Sequence, residues 1–409
     1  MIKLQNQTNS LIMKTLQIIS VLFSIIFSGY SSAQKLNTEI KNRIEKVENS
    51  LSPSVISGSD KVPDFNITER MKQLNVKGVS IAVINNYKIE WVKAYGYADE
   101  EENRKVDTNT LFQAASISKT INSLAFMKLV QLGKIDLDKD INYYLKSWTF
   151  PYDSISKKKI ITSRNLLSHS GGTDVSGFGG YERTAAIPNI IQILNGTFPA
   201  NSKPVRSLKE PGVEFDYSGG GTIISQLLLT DVAKKNYADY IKKEIFVPLQ
   251  MTHSTYSVKN DTLNIASGYY SDGKKVKGKY HLYPEYAAAG LWTTPEDLAK
   301  YIIECQLALQ GKSKKVLSQK YMKDRFAPVV DYNESKVALG VFLRYKNGVY
   351  YFNHNGGNEG FTCASYGSLD KGYGVVVMTN SNNQELMLEI CNSVARIYNW
   401  DRFFVPQFK

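Results

Sequence analysis

The chain has 409 residues, of which 43% are hydrophobic, 22% charged and 11% aromatic, with 12 prolines and 28 glycines. This composition excludes a disordered chain, a collagen and a coiled coil, and the length is sufficient to bury a large core. The formal net charge is +12. Its short lysine runs indicate solvated loops, or alternatively a surface for anionic cell-envelope polymers, whereas nucleic acid is disfavoured because no reader motif occurs. Three cysteines without zinc-ligand spacing give no reason to expect a structural metal or another cofactor.

The N-terminal segment has the pattern of an export signal. Two lysines precede an apolar run from Ile18 to Tyr30, and small residues follow it before Gln34. The run has about 13 residues, fewer than the roughly 20 that a membrane-spanning helix needs, so an uncleaved anchor is the weaker alternative. We therefore predict that residues 1–33 are a cleaved signal peptide and that the protein is periplasmic or secreted.

A hairpin and then a series of helices follow the signal segment. Val79–Ile84 and Lys88–Tyr97 are rich in β-branched and aromatic residues and flank the turn residues Asn85-Asn86, which predicts two paired strands. Apolar residues then recur at helical spacing from Thr120 to Leu132. Farther along, Thr294-Pro295 has the cap and first-turn proline of a helix start.

A second group of strands lies near the C-terminus. The predicted strands and the final helix are Val337–Tyr345, Val349–His354, Phe361–Ser368, Gly374–Asn380 and Glu385–Tyr398, with a hairpin turn at Asn347-Gly348. We predict an α/β fold with one antiparallel sheet built from both ends of the chain and flanked by terminal helices, into which a mainly helical lobe is inserted. Without a long linker, residues 34–409 would form a single two-lobed domain, the α/β lobe from about 35–115 and 336–409 and the helical lobe from about 116–335.

Ser116-Ile117-Ser118-Lys119 is an S-x-x-K sequence at the start of the first apolar helix. Helical spacing places the serine and the lysine on one face, so that the amine can reach the hydroxyl. The tetrapeptide recurs at Ser154-Ile155-Ser156-Lys157, but that copy lies in a polar, lysine-rich segment. The alternative role for Ser116 is an ordinary helix N-cap.

Two later segments add polar groups that suit the same chemistry. Tyr217-Ser218 stands just before an apolar helix that would begin near Thr222. A predicted strand runs into His354-Asn355-Gly356-Gly357, where the glycines let the backbone approach a ligand closely.

Together these motifs resemble the serine β-lactamase and penicillin-binding DD-peptidase family, in its class C-like branch with related esterases and D-amino-acid peptidases. The order S-x-x-K, then Y-S, then H-x-G is the order of that family. Residues 166–172 are similar to its L-L-x-H-x-S-G stretch, and residues 289–294 are similar to its A-G-G-L-x-S-T segment. Each motif is common alone, but five in this order, spanning about residues 65–400, are specific.

The resemblance implies a role for each matched residue. Ser116 would be the nucleophile, Lys119 and Tyr217 would share the proton transfers, and which of these two is the base stays open. The backbone N–H groups of Ser116 and Gly357 would form the oxyanion hole. The expected substrate-binding residues are His354, Asn355, Gly356 and Gly219.

Three other interpretations of the motifs are rejected or limited. His169 suggests a catalytic triad, but in the matching motif the histidine is structural. The glycines at 177–180 and 219–221 match no phosphate-binding fingerprint, so we interpret both segments as cleft loops. Many relatives have Asn where Gly219 stands, and no K-T-G occurs. A cation for the substrate carboxylate would therefore require a protonated His354.

We thus expect a monomeric, exported serine hydrolase that forms an acyl-enzyme on Ser116 and cleaves a small peptide, amide or ester substrate. D-Ala-type cell-wall peptides are favoured, then small esters or D-amino-acid amides, then β-lactams. The alternatives are a carboxylesterase or D-amino-acid amidase of the same fold, or a non-catalytic envelope-binding protein.

Overall fold

A computed structural model of the protein describes residues 36–58, 61–156, 159–258, 264–346, 349–401 and 403–409. The predicted signal peptide, residues 1–33, lies outside the described residues. Within the described ranges, every helix is too short or too polar to cross a membrane.

The strands and helices alternate along the chain in blocks. The strands are β1 (Val55–Ile56), β2 (Gly78–Asn85), β3 (Lys88–Asp99), β4 (Arg104–Lys105), β5 (Phe112–Gln113), β6 (Trp292–Thr293), β7 (Val330–Tyr332), β8 (Ser335–Val337), β9 (Phe342–Lys346), β10 (Val349–Asn358), β11 (Phe361–Ser368), β12 (Gly374–Thr379) and β13 (Gln407–Phe408). The helices are α1 (36–48), α2 (Ile67–Gln73), α3 (Ser118–Gln131), α4 (Ile141–Tyr144), α5 (Ser163–Leu167), α6 (Ile190–Asn195), α7 (Gly219–Ala233), α8 (Tyr237–Ile241), α9 (Val247–Leu249), α10 (Tyr286–Ala289), α11 (Pro295–Leu309), α12 (Gln319–Phe326) and α13 (Glu385–Ile397). A π-helical turn, Lys242–Phe246, joins α8 to α9.

Nine strands form one antiparallel sheet in the order β4-β3-β2-β12-β11-β10-β9-β8-β7. The N-terminal and C-terminal parts of the chain meet where β2 pairs with β12, with Ile81 opposite Val377. The intervening segment from α3 to α12 is mainly helical. The prediction of an α/β fold, with an antiparallel sheet built from both ends of the chain, is confirmed.

The predicted first hairpin corresponds to β2 and β3, and the last two predicted strands to β11 and β12. The single predicted strand Val337–Tyr345 is wrong, because β8 ends at Val337 and β9 begins at Phe342. Between them, the N–H of Leu339 donates to the carbonyl of Arg325 and that of Gly340 to the carbonyl of Leu167. These bonds to the helical segment replace sheet bonds and break the strand. The predicted turn at Asn347-Gly348 lies outside the described residues.

Both faces of the central sheet are covered. On β2, Ala82 and Ile84 belong to the core shared with the helical segment, while Ile81 and Val83 belong to a second core beneath the terminal helices. Side chains alternate between the faces of a strand, so a strand buried on both sides is apolar almost throughout. β10 and β11 also contribute residues to both cores. The turn between them reaches the inserted segment, where the carbonyl of Gly360 accepts from the N–H of Tyr269.

Helix α7 begins earlier than the sequence predicts. The Ser218 hydroxyl accepts a hydrogen bond from the N–H of Gly221, and Gly219–Gly221 form the first turn of the helix. The interpretation of these three glycines as a cleft loop is therefore wrong, because the serine cap offsets the low helix propensity of glycine. Residues 177–180 have neither helical nor strand structure, as expected of a loop.

Candidate active site

Ser116 lies on a single 3₁₀ turn, Ala115–Ile117, immediately before α3. Ala115 has a φ of +46°, a conformation that is costly for a residue with a side chain. Its carbonyl accepts a hydrogen bond from the hydroxyl of Ser118 at 2.6 Å, and that hydroxyl accepts one from the N–H of Leu291 at 3.1 Å. These two hydrogen bonds of the Ser118 hydroxyl fix the turn, while the Ser116 side chain stays partly exposed. No side chain caps α3, so the alternative role of Ser116 as an N-cap is wrong.

Lys119 is buried beneath this serine, with 4% of its surface exposed. Its Nζ lies 3.0 Å from the Ser116 Oγ and 2.8 Å from the carbonyl oxygen of Ala288 in α10. The same nitrogen is 5.0 Å from the centre of the Tyr217 ring. One buried amine therefore contacts both the candidate nucleophile and the segment that carries the candidate phenol.

Tyr217 stands in a group of rings. Its ring centre is 4.4 Å from that of His169, 6.2 Å from that of His354 and 6.5 Å from that of Phe342. The side chain is half-buried, so these rings fix its plane while part of it faces solvent. The structure brings Tyr217 and His354 to the Ser116–Lys119 pair, although each of them is about a hundred residues or more away in sequence.

His169 forms hydrogen bonds to the residues on either side of Tyr217. Its backbone carbonyl accepts from the N–H of Asp216 at 2.7 Å, and its Nδ1 accepts from the N–H of Ser218 at 3.2 Å. Burial, together with the positive charge of Lys119, holds the pKa of His169 well below its usual value. The backbone carbonyl of His169 thus binds the residue before Tyr217 and its neutral imidazole binds the residue after it, so His169 supports this segment.

Strand β10 brings the glycines to the nucleophile turn. It pairs with β9 only as far as Asn353, so from His354 onward this edge is open. A Cβ at Gly356 would lie 2.5 Å from the carbonyl oxygen of Ala114 and 3.0 Å from the Cβ of Ala115, whereas one at Gly357 would meet nothing within 4 Å. Glycine at 356 therefore allows the strand to contact the turn, and exposed Gly357 borders the open space beside it.

Two predicted substrate-binding residues are placed differently. On β10, Asn355 pairs with Ala364, which belongs to the core beneath the terminal helices, so its side chain lies on the face of the sheet away from Ser116. Gly219 is buried, and a Cβ there would lie 2.9 Å from the Phe178 ring and 3.2 Å from the carbonyl of Ser176. Neither residue offers a side chain to the space beside Ser116.

His354 is buried, with 3% of its surface exposed, and its Nδ1 lies 2.6 Å from the carbonyl oxygen of Asn355. Burial and the charge of Lys119 lower its pKa to about 3, although the bond to Asn355 opposes this shift. His354 is therefore neutral at physiological pH. A neutral His354 cannot supply the cation that a substrate carboxylate would require.

Comparison with known proteins identifies the family. The beta-lactamase family profile matches residues 64–395, most of the chain. The chain belongs to the beta-lactamase family. The predicted resemblance is thereby confirmed.

Curated relatives of this beta-lactamase-family chain include protein flp of Staphylococcus aureus strain N315, which is 26% identical over 343 residues. That match covers 82% of this chain and 66% of the relative, so the chain spans just under two thirds of the relative's length.

Solved structures share the fold. The octameric penicillin-binding protein homologue from Pyrococcus abyssi is 21% identical, with a TM-score of 0.67 and coverage of 83% of this chain and 78% of that chain. The D-amino acid amidase from Ochrobactrum anthropi SV3, complexed with L-phenylalanine, is 20% identical, with a TM-score of 0.67 and coverage of 89% of this chain and 99% of that chain. At these identities the similarity shows the fold alone.

The sequence analysis of this beta-lactamase-family chain did not identify three groups at the site: the Ala288 carbonyl, Phe342 and Asn358. The Ala288 carbonyl that binds Lys119 is a backbone atom, and Phe342 belongs to an ordinary apolar strand pattern. The side chain of Asn358 donates to Gln113 Oε1 at 2.7 Å and to the Ala289 carbonyl at 3.0 Å, so it ties β10 to α10. Its position directly after the two glycines could have suggested such a link. In the described part of the chain, no group of three or more His, Cys, Asp or Glu side chains could hold a metal ion.

Proposed function

We propose that this protein is an exported serine hydrolase that forms an acyl-enzyme on Ser116. The observation that carries the proposal is the buried Lys119 amine, 3.0 Å from the Ser116 hydroxyl and 5.0 Å from the Tyr217 ring centre. A serine hydroxyl is a weak nucleophile until a neighbouring base takes its proton. A binding protein has no need of such a linked set of groups, which argues against a non-catalytic envelope-binding protein.

The proposed reaction has two halves. In the first, Ser116 Oγ attacks the carbonyl carbon while its proton passes to the Lys119–Tyr217 pair, and the oxyanion binds the N–H groups of Ser116 and Gly357. The bond to the leaving group then breaks, and the leaving amine or alcohol takes that proton. In the second half, water attacks the ester and releases the acid and Ser116. Each oxyanion donor would contribute about 2.7–4 kcal/mol, by analogy with other acyl-transfer enzymes.

For the substrate we propose D-Ala-type cell-wall peptides first, small esters or D-amino-acid amides second, and β-lactams third. The signal-like N-terminus supports a substrate in the cell envelope. The D-amino acid amidase that shares the fold supports an amide bond, and the penicillin-binding protein homologue supports a substrate or inhibitor of the penicillin type. A carboxylesterase or D-amino-acid amidase is the second candidate, because a neutral His354 suits an uncharged substrate end.

Labelling of the serine tests the proposal. The purified protein would be exposed separately to a fluorophosphonate, a fluorescent penicillin and a short-chain nitrophenyl ester. Mass spectrometry would then measure the mass of any adduct and determine whether it is on Ser116. Ser116→Ala should abolish labelling and turnover, whereas Ser154→Ala, at the exposed first serine of the second tetrapeptide copy, should leave both unchanged. Wild-type protein that takes no label, turns over no ester and matches Ser116→Ala would contradict the enzyme assignment.

Export and assembly are proposed separately. A cleaved signal peptide would give a protein in the periplasm or medium whose first residue is Gln34, which sequencing of the exported protein checks. We also propose a monomer, and weak attraction of its lysine-rich loops to anionic envelope polymers. Retention of residues 1–33 on the exported protein would contradict cleavage.

A further inference from the structure

The second serine of the S-x-x-K motif, Ser118, is fully buried. Its hydroxyl donates to the carbonyl of Ala115 at 2.6 Å and accepts from the N–H of Leu291 at 3.1 Å. The backbone N–H of Ser118 donates to the same Ala115 carbonyl. A hydroxyl has one hydrogen to donate, so these contacts fix its orientation.

The hydrogen bond from this hydroxyl fixes the direction of a peptide unit. The carbonyl of Ala115 and the N–H of Ser116 belong to one trans peptide, in which the C=O and N–H bonds point in opposite directions. Because the carbonyl points inward to Ser118, the Ser116 N–H points outward, to the partly exposed side of the turn. An N–H group in the first turn of a helix has no partner within that helix. The Ser116 N–H is therefore oriented for a group that comes from outside the turn.

Ala115 needs this restraint because its φ of +46° is disfavoured for a residue with a Cβ. Leu291 binds the chain on both sides of it. The carbonyl of Leu291 accepts from the N–H of Ala114 at 2.8 Å, and its N–H donates to the Ser118 hydroxyl. Removal of the hydroxyl would take this acceptor from Leu291 and let Ala115 relax, which rotates the peptide that carries the Ser116 N–H.

The alternative for Ser118 is an ordinary bond within a helix. A buried serine or threonine often donates to the carbonyl three or four residues earlier without any effect on function. Thr120 does so, because its hydroxyl donates to the carbonyl of Ile117 at 2.9 Å. Ser118 differs from Thr120 in the carbonyl that it binds, which belongs to a strained residue and to the peptide of the Ser116 N–H.

The segment that binds Ser118 also binds the candidate base. Ala288, three residues before Leu291, accepts from Lys119 Nζ at 2.8 Å. Residues 288–291 thus contact both the amine and the hydroxyl that orients the Ser116 N–H. Proton transfer and oxyanion binding act on the same substrate carbonyl, so a common support keeps the two groups in register.

We propose that Ser118 is a positioning residue of this enzyme. Its hydroxyl holds the Ala115 carbonyl inward and so directs the Ser116 N–H at the oxyanion that forms from the substrate carbonyl. The inference rests on the proposed function and adds a residue to the set of Ser116, Lys119 and Tyr217. Loss of the Ser118 hydroxyl weakens oxyanion binding but leaves the nucleophile and the base in the protein.

A matched pair of substrates measures oxyanion binding independently of the amount of active protein. The pair is 4-nitrophenyl acetate and its thiono counterpart, in which sulfur replaces the carbonyl oxygen. Sulfur accepts weaker hydrogen bonds, so turnover of the thionoester depends less on the N–H donors. Ser118→Ala should lower kcat/KM for the oxygen ester by about 10-fold, part of the roughly 10²–10³-fold cost of losing a whole donor. It should lower kcat/KM for the thionoester less, so that the oxygen-to-sulfur ratio falls.

Thr120→Val is the matched control, because it removes the bond to the Ile117 carbonyl and should leave the oxygen-to-sulfur ratio at the wild-type value. Melting curves verify folding. If Ser118→Ala does not fold, Ser118→Cys takes its place, because a thiol is a weaker donor of similar size. An unchanged ratio in the Ser118 variant, or an equal fall in Thr120→Val, overturns the inference. Absence of ester turnover that depends on Ser116 in the wild type overturns the proposed function instead.

Discussion

The tetrapeptide Ser-Ile-Ser-Lys occurs twice in this chain and has two different structures. In the first copy, Ile117 is fully buried and the serine before it is on a 3₁₀ turn that leads into α3. In the second copy, Ile155 is 45% exposed in a loop. The lysine of the second copy lies outside the described residues.

Neighbouring residues account for the difference. Before the second copy, Asp153 accepts hydrogen bonds from the N–H groups of Ile155 and Ser156 at 2.9 and 3.2 Å, which forms a local turn instead of a helix. Before the first copy, the short strand β5 and Ala115 lead the chain into the core. In this chain, the S-x-x-K copy that leads into a buried helix is therefore the candidate active site, and the copy in the turn is not.

The largest expected effect comes from removing the buried amine of the first copy. Lys119→Met should slow acylation of Ser116 by about 10³-fold, because the hydroxyl loses the group that exchanges its proton. The rate of fluorophosphonate labelling measures this loss. Lys159→Met, next to the second copy and ion-paired with Glu210 at the surface, is the control and should label at the wild-type rate. Equal rates in the two variants would contradict a role for Lys119.

Removal of the phenolic hydroxyl comes next. Tyr217→Phe keeps the ring that packs against His169 and Phe342, so we expect a loss of about 10²-fold in kcat for ester hydrolysis with little change in melting temperature. Tyr332→Phe, whose ring lies 4.2 Å from Phe215 at the exposed edge of the same aromatic group, is the matched control. If Tyr217→Phe retains full kcat, the hydroxyl takes no part in proton transfer.

Crowding between β10 and the first copy gives a smaller effect. Gly356→Ala should destabilise the protein by about 1–3 kcal/mol, because its Cβ would overlap the Ala114 carbonyl and the Cys363 sulfur. Denaturant unfolding measures the change. Gly357→Ala has open space around its Cβ and should change stability by less than about 0.5 kcal/mol. Equal losses of stability in Gly356→Ala and Gly357→Ala would mean that β10 does not contact the 3₁₀ turn at Gly356.

The smallest expected effect is a pH dependence of the free energy of unfolding. It comes from Glu285, the residue before α10, whose Ala288 carbonyl binds Lys119. Glu285 is fully buried, and burial raises its pKa to about 7, although interactions with Tyr181 and with its own backbone oppose this shift. A raised pKa means that the protonated form stabilises the folded state below the unfolded pKa and that this stability is lost as the pH rises through about 7.

Glu285→Gln removes that titration. Relative to the wild type, its free energy of unfolding should increase by about 1 kcal/mol between about pH 6 and pH 8, measured by denaturant unfolding at both values. Exposed Glu334→Gln should show no such change between the two pH values. A constant difference between Glu285→Gln and the wild type would mean that Glu285 does not titrate in this range.

Much of the fold could be predicted from the sequence. The predicted Phe361–Ser368 coincides with β11, and the hairpin and the final helix are also present, because period-two and helical patterns depend on near neighbours. The sequence did not predict the break that separates β8 from β9 within the predicted strand Val337–Tyr345. Its break depends on backbone bonds to Arg325 and Leu167, whose partners no local pattern specifies.

The candidate site divides in the same way. The sequence identified Ser116, Lys119, Tyr217 and His354, because each belongs to a motif with its own local signature. The direction of Asn355 depended on which face of β10 is turned toward the terminal helices, and the burial of Gly219 depended on the loop that contains Ser176 and Phe178. Neither follows from residue type and spacing.

By itself, the sequence determined the residue types at the site, the order of the motifs and the antiparallel pattern of the strands, since these are properties of short segments. Only the tertiary structure decided the distances between Ser116, Lys119 and Tyr217, and the neutral state of His354. Proximity and charge both depend on what surrounds a group in space. For His354, the positive charge of Lys119 and the exclusion of water hold the imidazole neutral, and both come from packing β10 against the 3₁₀ turn that leads into α3.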